Sequence, residues 1–190
     1  MKICVTGPRP SKLDWGYDYH SAKWLRLKEL FKEHIIENNV TDVYTGMALG
    51  VDTVMAITVL ELKDAGYDIK LHCVIPCATQ CLVWPLHSIE LYLDILEKAD
   101  SITGITEEGS VSLRLIRCDT VFKFEVENGS NDTYTTKYSK ELMQKRNKYM
   151  VDKSNAVVSV WNGSPGGTGN CVKYAMSLGR SVFNFRPITI

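Results

Sequence analysis

The run Trp161-Asn-Gly-Ser-Pro-Gly-Gly-Thr-Gly-Asn170 stands between the apolar stretch Ala156-Val-Val-Ser-Val160 and the helix-like segment Cys171-Val-Lys-Tyr-Ala-Met-Ser-Leu178. A strand, a glycine-rich turn and a helix start together aim backbone N–H groups and a positive helix end at an anion. The turn is not a Walker loop, since no Lys-Ser/Thr pair follows, and it does not spell the Gly-x-Gly-x-x-Gly dinucleotide fingerprint. It points to a phosphorylated ligand without naming one.

The same rhythm runs through the rest of the chain. Ile3–Thr6, Asp42–Tyr44, Ile69–Ile75, Ser101–Ile105, Ala156–Val160 and Ser181–Phe185 read as strands. Between them, apolar residues at helical spacing mark Ser21–Glu37, Val51–Ala65, Leu86–Lys98, Tyr138–Asp152 and Cys171–Leu178. Alternation of this kind predicts an α/β sandwich of three layers around a mostly parallel sheet. The exception is residues 106–136, where Val111–Ile116 and Thr120–Val126 are β-rich and the polar Glu127-Asn-Gly-Ser-Asn-Asp132 follows. That segment reads as an inserted hairpin or sheet extension, and as a lid or an oligomerisation arm. Residues 1–190 are expected to form a single domain.

Lys and Arg total 22, as do Asp and Glu, so no global basic field recruits nucleic acid, which is an unlikely partner on this ground. No apolar run approaches a membrane span, and Met1-Lys-Ile-Cys-Val-Thr6 lacks the pattern of a signal peptide. The expected compartment is the cytoplasm, with the six cysteines reduced and packed. Cys73, Cys77 and Cys81 are spaced for a metal only on one continuous helix, which Pro76 argues against, so no metal is expected. The four histidines are scattered and receive no role.

Two further loops follow strands as the glycine-rich one does: Thr6-Gly-Pro-Arg-Pro10 and Thr45-Gly-Met-Ala-Leu-Gly-Val-Asp52. In a parallel sheet all three face the carboxyl edge, where open α/β folds bind ligands. The expected binding residues are therefore Thr6, Gly7, Arg9, Gly46, Met47, Ala48, Gly50, Asp52, Gly163, Gly166, Gly167, Thr168, Gly169 and Asn170. Arg9, on a Pro-flanked turn, suits a fixed guanidinium fork. Arg146 shares a helical face with Met150, with Asn147 beside it, and Arg146 is a second candidate anion clamp or else an exposed helix charge. Tyr17, Trp15 and Trp84 are candidates for stacking on a base, and Gln80 for reading its edge.

Taken together, Thr6-Gly-Pro-Arg-Pro-Ser-Lys-Leu13 with Gly16-Tyr17, Thr45–Asp52, Arg146-Asn-x-x-Met-Val-Asp152 and Val160-Trp-x-Gly-Ser-Pro-Gly-Gly-Thr-Gly-Asn170 resemble the YpsA-like (DUF1273) proteins of the SLOG superfamily. That superfamily also holds the DNA-processing protein DprA and the LOG cytokinin-activating enzymes. The resemblance implies a Rossmann-like fold and a nucleotide-type ligand pocket on these loops. Where the family's first loop usually carries histidine, this chain has Pro8. The LOG motif Pro-Gly-Gly-x-Gly-Thr-x-x-Glu, laid on Pro165–Lys173 without gaps, puts Lys173 at the catalytic glutamate. A lysine cannot supply a carboxylate's charge stabilisation or accept its proton.

The expected function is accordingly to sense or sequester a nucleotide or nucleotide-derived molecule, without a cofactor. A LOG-like hydrolase of an N-glycosidic or phosphoribosyl bond is the first alternative, with Asp52 as its carboxylate, and DprA-like handling of single-stranded DNA is the second. Homo-oligomerisation is expected through edge strands of the β-rich segment.

Overall fold

Side chains alternate between two apolar layers along the central strands, and this parity sets the architecture. Ile3 and Val5 join Val43, Leu71, Cys73 and Ile102 in one core, while Cys4 joins Val74, Val157 and Ile105 in the other. The computed structural model describes residues 1–118, 121–128 and 132–190. Its strands are β1 (Lys2–Thr6), β2 (Asp42–Thr45), β3 (Lys70–Ile75), β4 (Ser101–Ile105), β5 (Ser110–Cys118), β6 (Val121–Val126), β7 (Ala156–Val160) and β8 (Ser181–Phe185). The helices are α1 (Ala22–Glu37), α2 (Val51–Asp64), α3 (Leu86–Lys98), α4 (Lys140–Asp152) and α5 (Gly167–Ser177).

All eight strands form one sheet in the order β6-β5-β4-β3-β2-β1-β7-β8. The pairs from β4 through β1 to β8 are parallel, and β4-β5 and β5-β6 are antiparallel. Helices α1 to α3 pack side by side on one face, and α4 and α5 pack together on the other. This is the Rossmann-like three-layer sandwich expected from the sequence.

The chain first steps from β1 outward to β4, then returns through α4 to place β7 on the opposite side of β1. The β1–β7 boundary is therefore the switch point of the sheet, where diverging connections leave a crevice at the carboxyl ends.

The β-rich segment extends the sheet rather than standing off as a lid. Leu113, Phe124 and Tyr134 are buried in the larger core, and the Tyr134 hydroxyl donates to the Ile105 carbonyl at 2.7 Å. Thr120, expected to open β6, and Gly129–Asn131 of the polar loop lie outside the described residues.

Helix α4 starts at Lys140 rather than Tyr138, because Ser139 caps it: its Oγ accepts the Leu142 N–H at 3.0 Å. Replacing Ser139 with alanine is expected to cost about 1 kcal/mol, read as a lower urea midpoint at unchanged m-value.

Candidate functional site

At the switch point lies a cleft of about 660 Å³. The end of β1 contributes Thr6, Gly7, Pro8 and Arg9, followed by Lys12, Leu13 and Asp14 from the next turn. Ala48 and Asp52 come from the β2–α2 connection. Lys140, Met143, Gln144, Arg146, Asn147 and Met150 come from α4, and Trp161, Asn162 and Ser164 to Gly169 from the β7–α5 connection. Three consecutive parallel strands thus deliver the three glycine loops to one edge.

The glycine-rich turn enters its helix earlier than expected. α5 begins at Gly167, not Cys171, and the Asn170 N–H already donates to the Gly166 carbonyl at 2.8 Å. Glycine's low helix propensity conceals this start, yet the first-turn N–H groups have no intrahelical partner. Gly166 is the cap at φ 145°, ψ −169°, a region essentially closed to residues with a Cβ. Behind it the Trp161 indole donates to the Ser164 carbonyl at 2.7 Å and shapes the turn.

Arg146 is no exposed helix charge. It is buried, as is Asp52, and its Nη1 lies 3.5 Å from Asp52 Oδ2. The same carboxylate oxygen accepts the Ala48 N–H at 3.3 Å. Burial pushes the Asp52 carboxyl above its ordinary range, against the opposing pull of Arg146. The guanidinium lies against Gly46, where a Cβ would overlap Nη1 and Cζ and come within 2.9 Å of Nε. Gly46 therefore makes room for Arg146 rather than for a ligand.

Of the residues expected from the sequence, Thr6, Gly7, Arg9, Ala48, Asp52, Arg146, Asn147, Gly166, Gly167, Thr168 and Gly169 line the cleft. Tyr17, Gly46, Met47, Gly50, Gln80, Trp84, Gly163 and Asn170 are not among its lining residues, and each has another position or partner. Tyr17 opens on a separate apolar hollow with Trp24, Ile57 and Leu91. Met47, at φ 54°, buries its side chain in the core. Gly50 gives its N–H to the Tyr19 hydroxyl at 2.8 Å. Gln80 stands outside the cleft lining: its amide donates to the Gly46 and Met47 carbonyls at 3.1 and 2.7 Å and so braces the loop. Trp84 packs edge-on to Tyr92, and Trp15 is buried against Trp24. Gly163 turns the chain at φ 93°, and Asn170 is exposed on α5.

Lys12, Lys140, Met143 and Gln144 were not foreseen. Lys140, Met143, Gln144 and Asn147 follow the i, i+3, i+4, i+7 spacing of one helix face, so the Arg146–Asn147 motif extended by two turns would have found them. Lys173, at the LOG glutamate's place, is exposed and outside the cleft lining. Among the described residues no group of three or more His, Cys, Asp or Glu is arranged to hold a metal. Burial raises the Cys81 thiol to about 11, and pushes up the Cys73 thiol also.

A model of the YpsA (YspA SLOG) family matches residues 3–117. The chain belongs to this family. The matched residues carry β1 to β5 and two of the three cleft loops, and include the first part of the β-rich segment. The chain is also 31% identical over 164 residues to the uncharacterized SPbeta prophage-derived protein YoqJ of Bacillus subtilis (strain 168), covering 85% of this chain and 86% of that protein.

Among solved structures, DprA from Streptococcus pneumoniae is similar with a TM-score of 0.59 and 16% identity, over 96% of this chain and 49% of that one. DprA from Helicobacter pylori, described in its single-stranded DNA binding mode, gives a TM-score of 0.58 and 16% identity, over 97% of this chain and 64% of that one. This chain thus spans only about half to two thirds of the DprA chains, and the likeness is one of fold. No helix among the described residues is long and apolar enough to cross a membrane.

Proposed function

We propose that the cleft binds a nucleotide or nucleotide-derived molecule, with a phosphate on the first turn of α5, in order to sense or sequester it. The observation that carries this reading is a local surplus of positive charge in a chain with no net charge. Arg9, Lys12 and Lys140 line the cleft and form no ion pair among the described residues, and the charge of Arg9 is felt at Asp52. The two carboxylates of the lining are each paired with a cation, Asp14 with Lys23 at 3.1 Å outside the lining and Asp52 with Arg146 within it. Three cations outside any described ion pair, beside the N–H groups of a helix start, favour a phosphorylated ligand. A binding role requires no general base, which fits an Asp52 tied to Arg146 and to a backbone N–H.

The test is calorimetric titration with nucleoside mono- and diphosphates. Charge reversal of the exposed Lys12 to Glu is expected to weaken binding by about ten-fold or more while leaving the melting temperature unchanged. Unaltered affinity in that variant would remove the cradle from consideration. Release of free base during the titration would instead favour a hydrolase acting through Asp52.

Single-stranded DNA is a second reading, supported by the fold shared with a DprA that binds it and by the same cationic rim. Anisotropy with a labelled oligonucleotide separates the two: DNA handling requires saturable, salt-sensitive binding that mononucleotides do not displace. Pairing between copies would use β8 or the part of β6 that residues 132–134 leave uncovered.

A further inference from the structure

We infer that the Arg146–Asp52 pair reads a vicinal diol of the ligand, so that the cleft takes a ribose-type sugar phosphate in preference to its deoxy counterpart. The inference rests on the phosphate reading above and specifies the group next to that phosphate. Arg146 is 5% exposed and lines the cleft, yet among the described residues its guanidinium makes one hydrogen bond, from Nη1 at 3.5 Å. Among the described residues its Nε is buried without a hydrogen-bond partner. A guanidinium carries five N–H donors, and a buried donor left unmade is costly. With Nη1 turned to Asp52, the Nε–Nη2 edge of the fork has no partner among the described residues.

Asp52 is half-used in the same way. Its Oδ2 accepts from Ala48 and Arg146, and among the described residues no donor reaches Oδ1. Side by side, the pair offers spare donors and a spare acceptor with no net charge.

That combination selects the chemistry of the occupant. A second anion would meet the Asp52 carboxylate as closely as the Arg146 guanidinium, and the attraction and repulsion would offset. A hydroxyl accepts from the guanidinium and donates to the carboxylate, and adjacent hydroxyls use both groups at once. The cations that a phosphate needs are on other elements of the cleft, Arg9 and Lys12 on the β1 loop and Lys140 at the start of α4.

The experiment uses the full chain labelled with ¹⁵N and four probes: inorganic phosphate, ribose 5-phosphate, 2-deoxyribose 5-phosphate and ribose 1,5-bisphosphate. Ribose 5-phosphate is expected to bind about ten-fold more tightly than the deoxy sugar and to shift the Arg146 Nε–H resonance, because a site built around a hydroxyl rejects the analogue lacking it. Asp52→Asn is expected to reduce that preference to less than about three-fold, a loss of the charged acceptor. Equal affinity for the two monophosphates overturns the inference, as does a bisphosphate that binds ten-fold tighter than ribose 5-phosphate. The preference and the Nε–H shift are read on the unaltered protein, so they decide the matter even where Asp52→Asn does not fold. If the Gly167–Gly169 amides respond to inorganic phosphate but the sugars are not distinguished, only this inference falls. If those amides respond to no probe, the phosphate reading falls and carries this one with it.

Discussion

Replacing Arg146 with methionine is expected to destabilise the protein by about 3–5 kcal/mol at pH 7, the usual cost of stripping one partner from a buried ion pair. For a chain of this size, that corresponds to a melting temperature lower by roughly 10 °C. Methionine fills much of the vacated space, so the loss arises mainly from Asp52, left buried without its cation.

The pH dependence identifies the cause. Burial already raises the Asp52 carboxyl, and Arg146 is the largest opposing influence. Without Arg146 the folded-state value rises further, while the unfolded value stays near about 3.9. Above the raised value Asp52 is ionised in both states and the whole deficit is present. As pH falls through it, the folded state takes up a proton that the unfolded state does not, so the variant regains stability down toward the unfolded value.

Urea melts at pH 7 and pH 5 should therefore show a gap from wild type that narrows on acidification. Adding Asp52→Asn should recover most of the loss at pH 7 and abolish the narrowing. Asp52→Asn alone buries an unpaired guanidinium, which does not titrate, so its deficit should not shrink on acidification. A gap constant with pH in the Arg146 variant would show that lost packing dominates.

The contrast between these residues and the glycine loops shows what local sequence carries and what it does not. Strand parity, helix stripes and the punctuation by glycine and proline are short-range signals, and they led to the right layers and to the sheet edge where the cleft opens. The start of α5 was misplaced because glycines weigh against helix everywhere except its first turn, where their cost is least and their open N–H groups are of use.

Gln80 and Trp84 were misassigned for a different reason. Their partners lie 33 and 34 residues away for Gln80 and on the next helix for Trp84, and nothing local distinguishes a brace from a ligand contact. The charge of the cleft was hidden for a third reason. Equal totals of acidic and basic residues say nothing of which ones are already paired, and pairing is a property of the fold: Asp14 and Asp52 are engaged, whereas Arg9, Lys12 and Lys140 are not among the described ion pairs.

Gly46 joins these threads, since the loop motif announces it as a ligand-cradling glycine and the structure gives it another duty. Gly46→Ala is expected to cost about 3–4 kcal/mol, through overpacking and through displacement of the buried guanidinium. Its φ lies outside the left-handed region, so alanine meets no conformational barrier there and the cost is one of space alone. The obstructing atoms belong to Arg146, whose guanidinium cannot yield without leaving Asp52.

A double-mutant cycle separates this from a generic loop defect. In the Arg146→Met background the added methyl meets a flexible thioether, and Gly46→Ala should cost less than about 1 kcal/mol. The two effects would then be strongly non-additive, as for residues in direct contact. Additive costs would mean that Gly46 acts independently of Arg146, and the role assigned to it would fail. If the coupling is found, the glycine of the second loop acts through Arg146: it lets a charged side chain from α4 lie against the loop at the cleft, with its Nε unpartnered among the described residues.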